Sequence, residues 1–159
     1  MAVTIAIHKA KLEESPELAV MVGELLNEIM AAVGVQTFNF KLDETTARLT
    51  DYIREEKYFV FVAEDSSEGA VGFVALSESH ALYTEGAYGI IPEFYVRPAF
   101  RSRTVGAQLL AQAIAFGTSR HWTRLEVTTP PLPQFEKSLA FYEREGFAVS
   151  GGRKLRMML

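Results

Sequence analysis

Two apolar runs, residues 58–64 and 69–76, sit on either side of the polar tetrapeptide Asp65-Ser66-Ser67-Glu68. Each run has the length and the Val and Phe content of a strand, and the tetrapeptide has the composition of the turn that joins them. Residues 77–87 read as a looser connection and residues 88–96 as a third strand. That third run contains Pro92, which has no N–H to place in a ladder, so a bulge or an edge is expected there. The helical patterns fall before and after this block of strands.

Residues 3–7 form a first strand, with Val3, Ile5 and Ile7 alternating with Thr4 and Ala6. Ser15-Pro16-Glu17 marks a helix start: Ser15 as the cap, Pro16 in the first turn, Glu17 at the positive end of the dipole. Leu18, Val22, Leu25, Leu26, Ile29 and Met30 follow at helical spacing, and Gly34 ends the helix. Residues 35–41 read as a loop. Asp43 caps a second helix with Leu49, Tyr52 and Ile53 on its inner face. After the strand block, residues 97–103 are a short basic loop, and Val105, Leu109, Leu110, Ala113 and Ile114 form the apolar face of a third helix. A strand near 125–127 is stopped by Thr129-Pro130-Pro131-Leu132-Pro133, and a helix from about Gln134 ends at Gly146. Residues 147–149 and 153–158 suggest a closing hairpin across Ser150-Gly151-Gly152. The order is a strand, two helices, three strands, a helix, a strand, a helix and two strands. That is a mixed α/β fold in a single domain over residues 1–159, without repeats or a linker.

Composition narrows the function. Hydrophobic residues make up 48% of the chain, enough for a sizeable core, so a disordered chain is excluded. The net charge of -4 gives no general attraction to nucleic acid or anionic membranes. There is no cysteine, which removes disulfides, thiolate metal sites and acyl transfer through a thiol. The first residues lack a basic leader, and no apolar run is long enough to span a bilayer, so a cytoplasmic protein is expected. His8, His80 and His121 have no ligand spacing, so no metal is expected; His80 is an alternative base.

The segment from Glu93 to Leu110 carries the chemistry. A strand runs into a basic loop with Arg97, Arg101 and Arg103, then into a helix whose first turn holds Gly106. N–H groups at a helix start are unpaired, and the dipole favours an anion there. Gly106 permits close approach, and the arginines add charge that a phosphate can use. The expected ligand has phosphates and an apolar or amide tail that lies along the strand. A solvated basic turn before an amphipathic helix is the alternative reading.

Arg101-Ser102-Arg103-Thr104-Val105-Gly106, followed by Leu109-Leu110, resembles motif A of the GNAT (general N-acetyltransferase) superfamily, with Thr104 where the first glycine usually stands. Ser138 to Phe147, with Tyr142, Gly146 and Phe147, is similar to a second element of that family, with Phe135 where an asparagine often stands. The element order also resembles the family. The resemblance implies a mixed sheet of six to seven strands flanked by about four helices. It implies an N-acetyltransferase that moves acetyl from acetyl-coenzyme A directly to a primary amine of a small molecule or peptide.

By that resemblance Arg101, Ser102, Arg103, Thr104, Val105, Gly106 and Ala107 cradle the pyrophosphate. Phe94, Tyr95 and Val96 pair with pantetheine where the strands near 88–96 and 124–128 splay apart. Glu93 lies where a base is needed to take the proton of an ammonium. N–H groups freed around Pro92, from Phe94 to Val96, are the natural oxyanion donors. Tyr142 matches the tyrosine that acts as general acid on the leaving thiolate. Phe38, Phe40, Tyr83 and Glu85 are candidates to line an acceptor pocket. A homodimer is left open, nucleic-acid and membrane partners are not expected, and a non-catalytic acyl-coenzyme A binding module is the alternative function.

Overall fold

The computed structural model describes residues 4–159, so Val3 of the first expected strand lies outside the described residues. The chain forms two compact units, one ending at Thr128 and one running from Thr129 to Leu159. The first unit contains β1 (Ile5–Lys9), α1 (Ser15–Val33), α2 (Leu42–Arg54), β2 (Phe59–Asp65), β3 (Gly69–Ala81), β4 (Gly86–Ile91), β5 (Phe94–Val96), α3 (Val105–Ser119) and β6 (Leu125–Val127). The second contains α4 (Glu136–Arg144). The fold is mixed α/β, with six strands among the described residues in the order β1-β2-β3-β4-β6 and β5 paired to β3. All pairings are antiparallel except β4 with β6. Among the described residues no helix is long and apolar enough to cross a membrane.

β2 and the Gly69–Leu76 part of β3 are mostly apolar because both faces of the sheet are covered there. On one face Val60, Val62, Phe73 and Ala75 pack with Leu18 and Met21 of α1 and Leu49 of α2. On the other, Phe59 and Phe61 meet Phe116 of α3 at ring distances of 4.8 and 5.6 Å. Each large side chain buried in this way stabilises the fold by about 1.5–3 kcal/mol.

Several boundaries differ from the expectations, each for a physical reason. Residues 77–87 are not a loose connection: β3 continues to Ala81, β4 begins at Gly86, and Ser77 to Ala81 pair with Ile90 to Gly86. Polar Ser77, Glu78, Ser79 and His80 hid the strand because this end of β3 is only partly covered. Ser15 does not cap α1. A 3₁₀ turn, Leu12–Glu14, feeds directly into the helix, and its own start is closed by the Glu14 carboxylate accepting from Lys11 N–H at 2.8 Å. Asp43 lies inside the first turn of α2, behind Lys41 as the capping residue. Ile114 is exposed while Ala113 is buried, since successive helical residues turn by about 100° and only one of the two can face the sheet. α4 begins at Glu136 rather than Gln134. The closing hairpin is not formed: residues 147–159 carry no strand, and Val149, Leu155, Met157 and Met158 are exposed, so no buried face holds a register. Gly34 does end α1, at φ 73°, with its N–H on Met30 O.

Candidate active site

The third expected strand is two strands separated by Pro92 and Glu93. Ile90 pairs with Ser77 and Phe94 with Val74, so four steps along this strand span three along β3. That one-residue excess is a β-bulge, which turns the chain and re-aims the side chains that follow. Pro92 is the position that lacks a donor, and Glu93 O keeps the ladder alive across the break by accepting from Ala75 N–H at 2.9 Å.

The bulge decides which main-chain groups face outward. Glu93 O and Arg97 N–H both bond to β3, the latter to Val71 O. By strand alternation Tyr95 faces β3 as well, while the main-chain groups of Phe94 and Val96 point away from it. On that far side β6 pairs with β4 from Gly89 with Leu125 as far as Ile91 with Val127. The first unit therefore has no strand beside β5 there, among the described residues. Gly72 lies opposite Val96, and a Cβ at Gly72 would stand 2.8 Å from Tyr95 O, so this glycine lets β5 approach β3.

The basic loop divides its arginines between two tasks. Arg97 is bound: its Nε and Nη2 reach both carboxylate oxygens of Glu24 at 3.1 Å, and Nη1 reaches Ala70 O at 2.9 Å. Tyr95 OH also donates to Glu24, at 3.2 Å. Arg101 ties the loop together, with Nε on Val96 O at 2.8 Å and Nη2 on Glu28 at 2.7 Å. Arg103 lies over the Phe100 ring and joins no ion pair among the described residues. Glu24 and Glu28, one turn apart on α1, were not visible as site residues in the sequence. Their partners are 73 positions away, and no local pattern points to them.

Ser102 and Thr104 both have left-handed backbone, at φ 62° and 64°. For a β-branched residue such as Thr104 this conformation is strained. It is the position where the resembled motif has glycine, so the backbone demand of the motif is present without the residue that meets it freely. Thr104 is the capping residue of α3, yet its hydroxyl does not cap. It accepts instead from Gln108 Nε2 at 3.0 Å. A left-handed residue followed by a helical one turns successive N–H groups to one side, an anion-binding concavity. α3 has no acidic residue in its first turn.

Glu93 is part-buried in the bulge. Burial pushes its carboxyl above the usual carboxylate range, and a hydrogen bond from Tyr58 OH at 2.8 Å opposes that shift. Tyr58 was not picked out from the sequence. Phe40 packs its ring against Gly23 of α1, so closely that a Cβ there would collide with it. Phe38 is half-buried in the same loop. Tyr83 and Glu85 lie in the tight turn between β3 and β4, where Tyr83 is exposed and meets Arg124. A shallow depression at that turn is lined by His80, Ala81, Leu82, Glu85 and Gly86, at the far end of β3 from β5. The four acceptor candidates therefore fall in two different loops, Phe38 and Phe40 before α2 and Tyr83 and Glu85 between β3 and β4.

In the second unit Tyr142 is buried on α4, with Phe141 and Phe147 rings at 5.4 Å. Burial pushes its hydroxyl up to about 12, so it keeps its proton through neutral pH.

A strand edge that no strand of the first unit covers, a basic loop and a helix start without a side-chain cap thus follow one another along the chain among the described residues. Residues 56–149, more than half of the chain, match the family model of the acetyltransferase (GNAT) domain. The chain belongs to the GNAT acetyltransferase family.

Among solved structures it is similar to a probable acetyltransferase, at 22% identity over 97% of each chain with a TM-score of 0.76. It is also similar to a predicted acetyltransferase with acetyl-CoA from Clostridium acetobutylicum, at 16% identity over 96% of each chain, TM-score 0.78. An aminoglycoside acetyltransferase from an uncultured soil metagenomic sample gives 17% identity over 98% of this chain and 96% of that one, TM-score 0.75. At these identities the likeness is one of fold. No curated protein sequence matches the chain.

Proposed function

We propose that this acetyltransferase moves an acetyl group from acetyl-coenzyme A to a primary amine of a small molecule or peptide, with both substrates bound together. The observation that carries the reading is the start of α3, where a left-handed Thr104, an absent side-chain cap and an absence of acidic residues leave N–H groups and the positive dipole end for an anion. Residues 101–107 fit the pyrophosphate, with Arg103 as a cation that forms no ion pair among the described residues. The outward edge of β5 fits the amide-rich tail, and its N–H groups would meet the oxygen on which negative charge develops. When bound, the donor supplies a thioester carbonyl open to attack.

An amine attacks only as the free base, so the ammonium proton must go to a base. Glu93 is that base in this reading: burial raises its proton affinity toward the working pH, where a general base is most effective. Its carboxyl must be ionised, so activity rises with pH through a value above the usual glutamate range. Tyr142 holds its proton at neutral pH and is the donor to the leaving sulfur.

The test is thiol release from acetyl-coenzyme A across a panel of amines. At least one amine should be turned over, and Tyr142→Phe should lower kcat by about 10²-fold, the lower bound for lost general acid catalysis. Calorimetric binding of coenzyme A without turnover of any amine would replace the enzyme by an acyl-coenzyme A binding module.

A further inference from the structure

Tyr58 lies 35 residues before Glu93 in the chain, yet its hydroxyl donates to Glu93 Oε1 at 2.8 Å. The tyrosine is itself held in place. Its N–H bonds to Tyr52 O at 3.1 Å, its ring stands 5.1 Å from that of Tyr52, and it packs against the core beneath β2. Glu93 is fixed at the other end by the bulge and by the bond from Ala75 N–H to its carbonyl. Both members of the pair are thus anchored by backbone, and the hydrogen bond joins the turn before β2 to the break between β4 and β5.

We propose that Tyr58 is a positioning residue for the base, holding Glu93 Oε1 so that Oε2 receives the proton of the acceptor amine. This rests on the reading of Glu93 as base. The proton passes from the ammonium nitrogen to Oε2, the lone pair stays on nitrogen, and Tyr58 keeps its own proton. Burial and the adjacent carboxylate raise the Tyr58 hydroxyl far above its ordinary range, so it acts only as a donor. Tyr58, from the turn before β2, is the polar side chain that meets the Glu93 carboxyl, and Tyr52 of α2 stands behind it. No Lys, Arg or His forms an ion pair with Glu93 among the described residues. The Tyr58 bond favours the ionised carboxylate while burial disfavours it, so the tyrosine sets how far the base is raised.

Tyr58→Phe keeps the ring and its contact with Tyr52 and removes only the hydroxyl. The Glu93 carboxyl, assigned by comparison with Glu93→Gln, is titrated by carbon-13 NMR in the parent and in Tyr58→Phe. Its midpoint should move up by about one pH unit, the size expected for a lost hydrogen bond to an ionised group. The acid limb of kcat/KM should move in the same direction, measured with the amine that the parent turns over fastest. Placing 3-fluorotyrosine at position 58 strengthens the donor without enlarging the ring much, and should move both midpoints down. A Glu93 midpoint that stays put in both folded variants overturns the proposal. Parental turnover in Glu93→Gln removes the base reading beneath it, and that result is separate because the NMR titration needs no turnover.

Discussion

Two helices of the first unit, α1 and α3, meet the same difficulty at their starts. The first N–H groups have no partner within the helix, and the aligned dipoles leave positive charge there. α1 places Pro16, which has no N–H, in its first turn and follows it with Glu17. α2 does the same work with Asp43 and Glu44. α3 does none of this: no acidic residue lies in its first turn, Thr104 is left-handed and does not cap, and Arg101 and Arg103 stand just before it. One helix start is neutralised by the chain's own side chains and the other is not, which is where the proposed function places a ligand's charge. Position in the sheet explains why, since α3 follows β5, whose outward edge no strand of the first unit covers among the described residues.

The contrast breaks most visibly if α3 is given what α1 has. Ala107 is the third residue of α3 and is only partly buried, so Ala107→Glu puts a carboxylate among the N–H groups proposed to hold phosphate. Affinity for coenzyme A, by calorimetry, should fall at least about tenfold, which corresponds to 1.4 kcal/mol. The melting temperature should hold or rise by about 1–3 °C, because the new charge favours the helix. Opposite signs for binding and stability separate this outcome from simple damage. Unchanged affinity in the folded variant would mean that the bare start of α3 is not a phosphate site.

A smaller effect sharpens the same contrast. Thr104→Gly removes the Cβ from a left-handed residue, which relieves about 1 kcal/mol of strain, partly offset by the extra freedom of glycine in the unfolded chain. It also removes the Gln108 to Thr104 hydrogen bond. The melting temperature should rise by about 1–3 °C, and coenzyme A affinity should be kept or improved. A fall in melting temperature would show that the Gln108 bond outweighs the strain.

These elements differ in how far they could be read from the sequence. Local rules were enough where one residue sets the outcome: Pro92 marked the bulge, Gly34 the end of α1, and the turn at Asp65 to Glu68 the first pair of strands. They failed where pairing is decided at a distance. Ser77 to Ala81 form strand because β4 lies beside them, not because of their own polar side chains. Arg97 and Arg101 looked equivalent to Arg103 until Glu24 and Glu28 claimed them from another helix. Tyr58 read only as the first residue of a strand, and its bond to Glu93 needs the bulge to bring the two together. Residues 147–149 and 153–158 suggested a hairpin, but a strand needs a neighbouring strand and a buried face before it forms.

The smallest prediction returns to α1 and serves as the control for the other two. Glu17 is exposed, in the first turn of a helix whose start has no proposed ligand. Glu17→Gln keeps size and helix propensity and removes only the charge. The melting temperature should drop by about 1–2 °C at low salt, and the drop should shrink at 1 M salt, where the Debye length falls to about 3 Å. Coenzyme A affinity should not change. If neutralising Glu17 moved that affinity as much as Ala107→Glu does, charge anywhere near a helix start would suffice, and the distinction between a sealed and an open N-terminus would lose its meaning.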